Sequence, residues 1–212
     1  MSVRKAVLFV ICGCLLVLVA MRVINNRTIS NEFTFEKNPA KEIELKKNKT
    51  YTVEANSETF PTGFYDLSEI DNNETFAGND NLNNKDVIRN KAFYDTNKIQ
   101  TPKKSSVQLK PSKEKFLPLK SDGSVQLVNT YGHFFVPVSM SGKYAFKIIG
   151  AGKVVCQIQD IDDSTGFINN VLDNFLLDQS TEHIKELKSD RIISFFKNSG
   201  DKDVTILIVP IL

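Results

Sequence analysis

The sequence predicts a mainly β body, an antiparallel sandwich or barrel-like fold. It is made of tandem duplicated units, each with one short helix, behind an N-terminal transmembrane helix. Three observations predict it. The chain opens on an uncharged apolar run, its body consists of short segments with alternating apolar residues, and motifs within that body recur at a common spacing of 78–79 residues.

The opening run comes first. Residues 6–21 read AVLFVICGCLLVLVAM, without charge or proline, and Val23 and Ile24 carry the apolar character to residue 24 with only Arg22 interrupting. At 1.5 Å per residue, about 19 positions nearly cross a hydrocarbon layer of ~30 Å. Arg22 can snorkel to the interface along its aliphatic stem, and Arg4 and Lys5 form a basic flank in front. The expected organisation is a cytoplasmic tail at 1–5, a signal anchor at 6–24 crossing the lipid bilayer of the plasma membrane once, and a polar spacer at 25–41. Two other readings stay open. A cleaved secretory signal needs small residues at its cleavage site, and Ala20 has only Leu18 two positions before it. A lipoprotein signal is suggested by Ile11-Cys12-Gly13-Cys14, although LLVLVAM continues the apolar run beyond Cys14. A buried helix of a soluble protein would have a polar face, which this run lacks. Two basic residues precede the span and two follow it, so charge barely decides orientation. Short basic tails ahead of long carboxyl-terminal domains favour an extracellular body. Sequons stand at Asn26, Asn48 and Asn73.

Composition narrows the function classes. None of the 25 acidic residues and four of the 27 basic ones (Arg4, Lys5, Arg22, Arg27) lie in residues 1–30, so the rest of the 212-residue chain is close to neutral. With no Trp and no basic excess, the body is not expected to bind nucleic acid. Of three cysteines only Cys156 lies outside the apolar run, so the body has no internal disulfide. An unstapled ectodomain rich in Asn and Lys suits a Gram-positive bacterial surface better than an animal one.

The body reads as two related units, 42–128 and 129–212. Gly63-Phe64-Tyr65-Asp66-Leu67 recurs as Gly142-Lys143-Tyr144-Ala145-Phe146, and Val125-Gln126-Leu127-Val128 as Val204-Thr205-Ile206-Leu207. Val107-Gln108-Leu109-Lys110 has a counterpart in Lys185-Glu186-Leu187-Lys188. Alternation predicts strands at 51–55, 64–70, 106–110, 115–120 and 124–128 in the first unit, and at 133–138, 143–149, 153–158, 191–196 and 204–211 in the second. Asp122-Gly123 and Asn198-Ser199-Gly200-Asp201 are turn signals. Residues 165–177, TGFINNVLDNFLL, place Phe167, Ile168, Val171, Leu172, Phe175 and Leu176 on one face of a helix, with Asp162, Asp163 or Ser164 as its cap. Residues 83–94 form the corresponding, more polar helix of the first unit. Between residues 96 and 118, six lysines face one acidic residue, Glu114. Such a stretch suits a solvated loop and edge strand, or a contact for anionic polymers or lipid headgroups.

Phe60-Pro61-Thr62-Gly63-Phe64-Tyr65 resembles the P-A-G-x-Y strand opening of small tandem extracellular β-modules found in membrane-anchored or lipoprotein surface proteins of Gram-positive bacteria. Gly166-Phe167-Ile168-Asn169-Asn170-Val171-Leu172 is similar to the Gly-Ile-Asn-Glu-like helix that follows in those modules, and Val107-Gln108-Leu109-Lys110 half matches their closing V-x-L-x-x-G-D strand. The second unit has Met140-Ser141 in place of the Pro-Ala pair. The resemblance implies a surface location and a β-fold, and no reaction.

Catalytic candidates are few. A sortase-like cysteine transpeptidase needs a thiolate, an imidazole and a guanidinium together, for which Cys156, His133 and Arg191 are the candidates. Their spacing does not fit that family, and alternation puts Cys156 on a core face beside Val154 and Ile158. No Gly-X-Ser-X-Gly elbow, clustered His/Cys set or phosphate-binding Gly loop occurs, and His183 reads as a surface residue. Asp160, Asp162 and Asp163 supply hard oxygen ligands for calcium, but Thr165 and Val171 stand where a calcium loop has Gly and Glu. The expectation is a non-catalytic protein without cofactor, acting through an unidentified protein or cell-envelope partner. A pilin-like subunit is the other assembly reading, without the Glu expected early in its apolar helix.

Overall fold

The computed structural model describes residues 33–70, 74–161, 168–199 and 203–211. The tail 1–5, the apolar run 6–24 with Arg4, Lys5 and Arg22, and Asp162 and Asp163 lie outside them. No helix among the described residues is long and apolar enough to cross a membrane.

The described residues are mainly β. One sheet has eight strands in the order β1 (Ile43–Leu45), β8 (Val107–Pro111), β3 (Gly63–Ser68), β6 (Val87–Phe93), β10 (Thr130–Phe135), β15 (Arg191–Ser199), β12 (Lys153–Ile161) and β13 (Ile168–Leu177). A second has four: β14 (His183–Leu187), β11 (Gly142–Ile149), β16 (Thr205–Pro210) and β9 (Val125–Val128). Two ribbons complete the set, β2 (Thr50–Thr52) with β7 (Lys98–Gln100) and β4 (Glu74–Phe76) with β5 (Asn79–Leu82). All strand pairs are antiparallel except β6 with β10.

Two apolar cores form on this frame. Tyr65, Leu67, Ile88, Phe93, Val107 and Leu109 of the large sheet pack with Val53, Phe60, Ile70, Phe76 and Leu82 from the ribbons and their connections. The second core is a sandwich. Inward residues of the four-stranded sheet, among them Leu127, Tyr144, Phe146, Ile148, Ile206 and Ile208, meet Tyr131, Phe134, Val154, Cys156, Ile193 and Phe195 of the large sheet. Leu117, Val125 and Leu127, assigned from sequence to the first unit, belong to this second core. The eight-stranded sheet runs through both ranges, 42–128 and 129–212.

The parallel junction explains how one sheet passes between the two cores. Gly132 of β10 lies opposite Arg89 of β6 with φ +105°, and a Cβ there would sit 2.0 Å from the Arg89 carbonyl oxygen, so only glycine allows the approach. Nearby, Lys197 of β15 and Asp86 before β6 form an ion pair at 2.7 Å, and both side chains are almost fully buried. The Lys197 backbone N–H also donates to Asn79 Oδ1 at 2.8 Å. This pair links the 42–128 range to the 129–212 range inside the protein.

Several sequence expectations are corrected. The segment expected as helix over 165–177 is, where described, strand β13, with Phe175 and Leu177 buried and Val171, Leu172 and Leu176 exposed. An apolar run spaced for a helix face also serves a strand when a neighbour offers a long open edge, and β12 pairs with β13 along almost its whole length. Three asparagines in the run add no strong helix preference. The helix expected over 83–94 is a turn leading into β6, where the Asp86 carboxylate accepts the Asn83 N–H at 2.9 Å and β6 is held between β3 and β10. The strand expected at 115–120 is reduced to two isolated bridges, Phe116 to Phe135 and Leu119 to Val125. The end of the expected spacer is packed: Phe33 is buried against Phe64 and Tyr94, and the Asn38 side chain bonds the Phe64 N–H and carbonyl at 2.9 and 2.8 Å as a neighbouring strand would.

Candidate functional site

Cys156 stands in the middle of β12, where alternation sends Val154, Cys156 and Ile158 into the second core. Its thiol is fully buried, and burial pushes its pKa well above the ordinary value, with Asp173 adding to the rise. A thiol held in this way is not a nucleophile at neutral pH. Cys156 pairs across the sheet with Phe195, whereas His133 pairs with the adjacent residue, Ser194. Successive side chains of a strand point to opposite faces, so thiol and imidazole lie on opposite sides of the large sheet. Arg191 begins β15 and is bound by Asp160 and, at 3.0 Å, by Asp190. The structure therefore does not bring Cys156, His133 and Arg191 together. Asp160, the described member of the acidic trio, is committed to Arg191. Among the described residues no group of three or more His, Cys, Asp or Glu side chains could hold a metal ion.

His133 takes part in a different arrangement, which sequence spacing does not reveal. Its Nδ1 lies 2.7 Å from Ser194 Oγ. The Ser194 hydroxyl donates to Gln159 Oε1, and Gln159 Nε2 donates to Gln157 Oε1 at 3.1 Å. Since the serine proton is given to the amide, Ser194 accepts from Nδ1–H of a neutral ring. Burial pushes the His133 pKa down to about 4, and the Lys91 ammonium contributes. The Lys91 pKa is itself lowered by burial. A serine beside a histidine resembles a hydrolase dyad, but here the hydroxyl faces an amide acceptor and the imidazole is too weak a base for neutral pH. Ser194 and Gln159 are buried, His133 and Gln157 are partly buried, and Phe196 packs edge-on against the imidazole, so the four residues form a polar rung across β10, β15 and β12. His133 and Ser194 are 61 residues apart, and no local motif could have paired them.

An aromatic hollow of about 420 Å³ is lined by Phe35, Glu36, Lys113, Glu114, Lys115, Phe116 and Pro118. Lys115 forms part of its wall. Its ammonium lies 4.7 Å from the Phe135 ring, 5.8 Å from Phe116 and 6.0 Å from Phe35, and 3.1 Å from the Glu36 carboxylate. A backbone N–H and Lys115 hold the Glu36 carboxyl below its usual range. The surrounding lysine-rich stretch is partly neutralised: Glu74 accepts the backbone N–H groups of Lys103, Lys104 and Ser105, and Lys110 lies 3.8 Å from Glu42. At the wall of this hollow Lys115 thus makes cation–π contacts with three aromatic rings while paired with Glu36. The chain matches no protein-family model, and a search of curated proteins finds no match to it.

Proposed function

We propose that the chain is a non-catalytic cell-surface protein, anchored in the plasma membrane by residues 6–24, whose body makes protein or cell-envelope contacts. The observation that carries this reading is the placement of the reactive side chains: the thiol and the imidazole face opposite sides of one sheet, and each is enclosed by its own partners. The uncharged apolar run at residues 6–24, long enough to cross most of a hydrocarbon layer, supports the anchor. Descent of 42–128 and 129–212 from one unit is part of the proposal. Gly63 and Gly142 both open a strand at positive φ, which favours it, while β3 is flanked by β6 and β8 and β11 by β14 and β16.

Two measurements test the reading. Protease treatment of intact cells should remove the body and leave a membrane-bound stub; a body protected until lysis refutes the extracellular placement. Thiol labelling followed by peptide mapping should leave Cys156 unmodified in the native protein and label it on unfolding, whereas rapid native labelling at neutral pH would restore a cysteine enzyme.

A further inference from the structure

Lys91 of β6 departs from the rule that the other basic side chains withdrawn from water obey. Among the described residues, the other lysines and arginines that are not exposed are Arg89, Lys115, Lys147, Lys185, Arg191 and Lys197, and each has a carboxylate within 3.5 Å. Lys91 is partly buried and pairs with no carboxylate among the described residues, and burial holds its pKa down. An ammonium taken from water without a partner costs free energy that a matching anion would offset. Alternation puts Lys91 on the face of β6 that carries Phe93. There it lines a hollow of about 370 Å³ with Thr75 and Gly78 of the β4–β5 hairpin, Phe93, and Lys98 and Ile99 of β7. Among the described residues no carboxylate lines this hollow. The hairpin's acids are engaged elsewhere: Glu74 accepts the N–H groups of Lys103, Lys104 and Ser105, and Asp80 accepts the Thr75 hydroxyl at 3.0 Å.

The charge of the walls indicates the guest. Two ammonium groups with no anion between them suit a ligand carrying close to two negative charges. A phosphate monoester carries about −1.5 to −2 at neutral pH and accepts charge-assisted hydrogen bonds, so it balances both lysines. A single carboxylate balances only one. The volume lies in the range of small-molecule sites, and Phe93 and Ile99 give the wall an apolar part for the body of the ester. We propose that this hollow binds a small phosphate monoester, with Lys91 as the inner cation and the exposed Lys98 as the outer one. Each lysine acts as a point charge without a fixed fork, so the site reads the charge of the phosphate more than the shape of what it is attached to.

Calorimetric titration of the full chain in a mild detergent with phenyl phosphate, at pH 7 and low salt, should give a Kd of about 10 µM to 1 mM. Benzoate, with one charge, should bind at least about fivefold more weakly. Lys91→Met should lower the affinity at least about tenfold, and Lys98→Met, at the exposed position, about threefold. Lys91→Arg keeps the cation and should stay within about threefold of the native value. Lys143→Met removes an exposed lysine of β11 that does not line the hollow, and should change nothing. Because Lys91→Met removes an unpaired charge, its Tm should not fall. Should it fall, acetylation of the native chain decides: peptide mapping should find Lys91 protected by phenyl phosphate and Lys143 unprotected. No binding up to about 10 mM, equal affinity for benzoate, an equal loss in Lys143→Met and Lys91→Met, or a Lys91 that labels equally with and without phenyl phosphate overturns the proposal. None of these outcomes bears on whether residues 6–24 are an anchor, which the protease experiment decides separately.

Discussion

The polar rung around His133 makes the stability of the fold depend on pH in a defined window. In the folded protein its pKa is pushed down to about 4, and the unfolded chain has the ordinary value near 6.5. Between these two pH values the unfolded state binds a proton that the folded state refuses, so stability rises with pH. The contribution is complete above about pH 6.5 and is lost progressively as pH falls towards 4. Integrating that difference gives a loss of about 2 kcal/mol between pH 7 and pH 5, of a total near 3 kcal/mol. For a domain of this size the 2 kcal/mol corresponds to a fall in Tm of roughly 4–8 °C. The perturbation to use is His133→Asn, whose amide can keep the donor to Ser194 without titrating. Urea unfolding at half-unit pH steps should show the native protein losing stability from pH 7 to pH 5 and the variant losing much less. The shifted carboxyl groups Glu36, Glu44, Glu58, Glu74, Asp122, Asp178 and Asp203 all lie below their usual values, so their contributions fade at lower pH, largely beneath this window. Equal slopes for the two proteins, or a His133 ring resonance titrating near 6.5, would refute the reasoning.

Two further outcomes follow from the junction of the cores. Lys197→Met strips the buried Asp86 carboxylate of its cation and should destabilise the protein by about 3–5 kcal/mol in denaturant unfolding, while Lys197→Met with Asp86→Asn should recover most of that loss; equal damage from the single and double variants would show that the charge pair is not the cause. Gly132→Ala places a Cβ into the Arg89 carbonyl, whereas Gly142→Ala, also at positive φ, meets nothing within 4 Å. Both pay for the backbone conformation, but Gly132→Ala should cost about 1–3 kcal/mol more, as measured by Tm and unfolding free energy, and equal costs would rule out the close approach.

What the sequence made legible and what it hid can be traced to the range of each signal. Alternation is local, and it correctly placed β3, β8, β9, β11, β12, β15 and β16 to within a few residues, because alternate apolar residues of each enter a core. It failed at β13, where a short apolar run fits either period and only the open edge of β12 decides. It failed also at β6, whose seven residues include Arg89, Asn90 and Lys91: a strand that polar is held by neighbours on both edges and not by its own pattern. The burial of Cys156 could be read from Val154 and Ile158, since face assignment within one strand needs no partner. The His133–Ser194 contact could not, because it depends on the register between β10 and β15. The same distinction bears on the outer face of the four-stranded sheet. The apolar run of β16 was visible from the start and read simply as a strand; only the register with β11, β14 and β9 shows that half of its apolar residues join a patch facing outward. A local pattern thus shows that a strand is apolar on both sides, and only the assembled sheet shows which side the core covers.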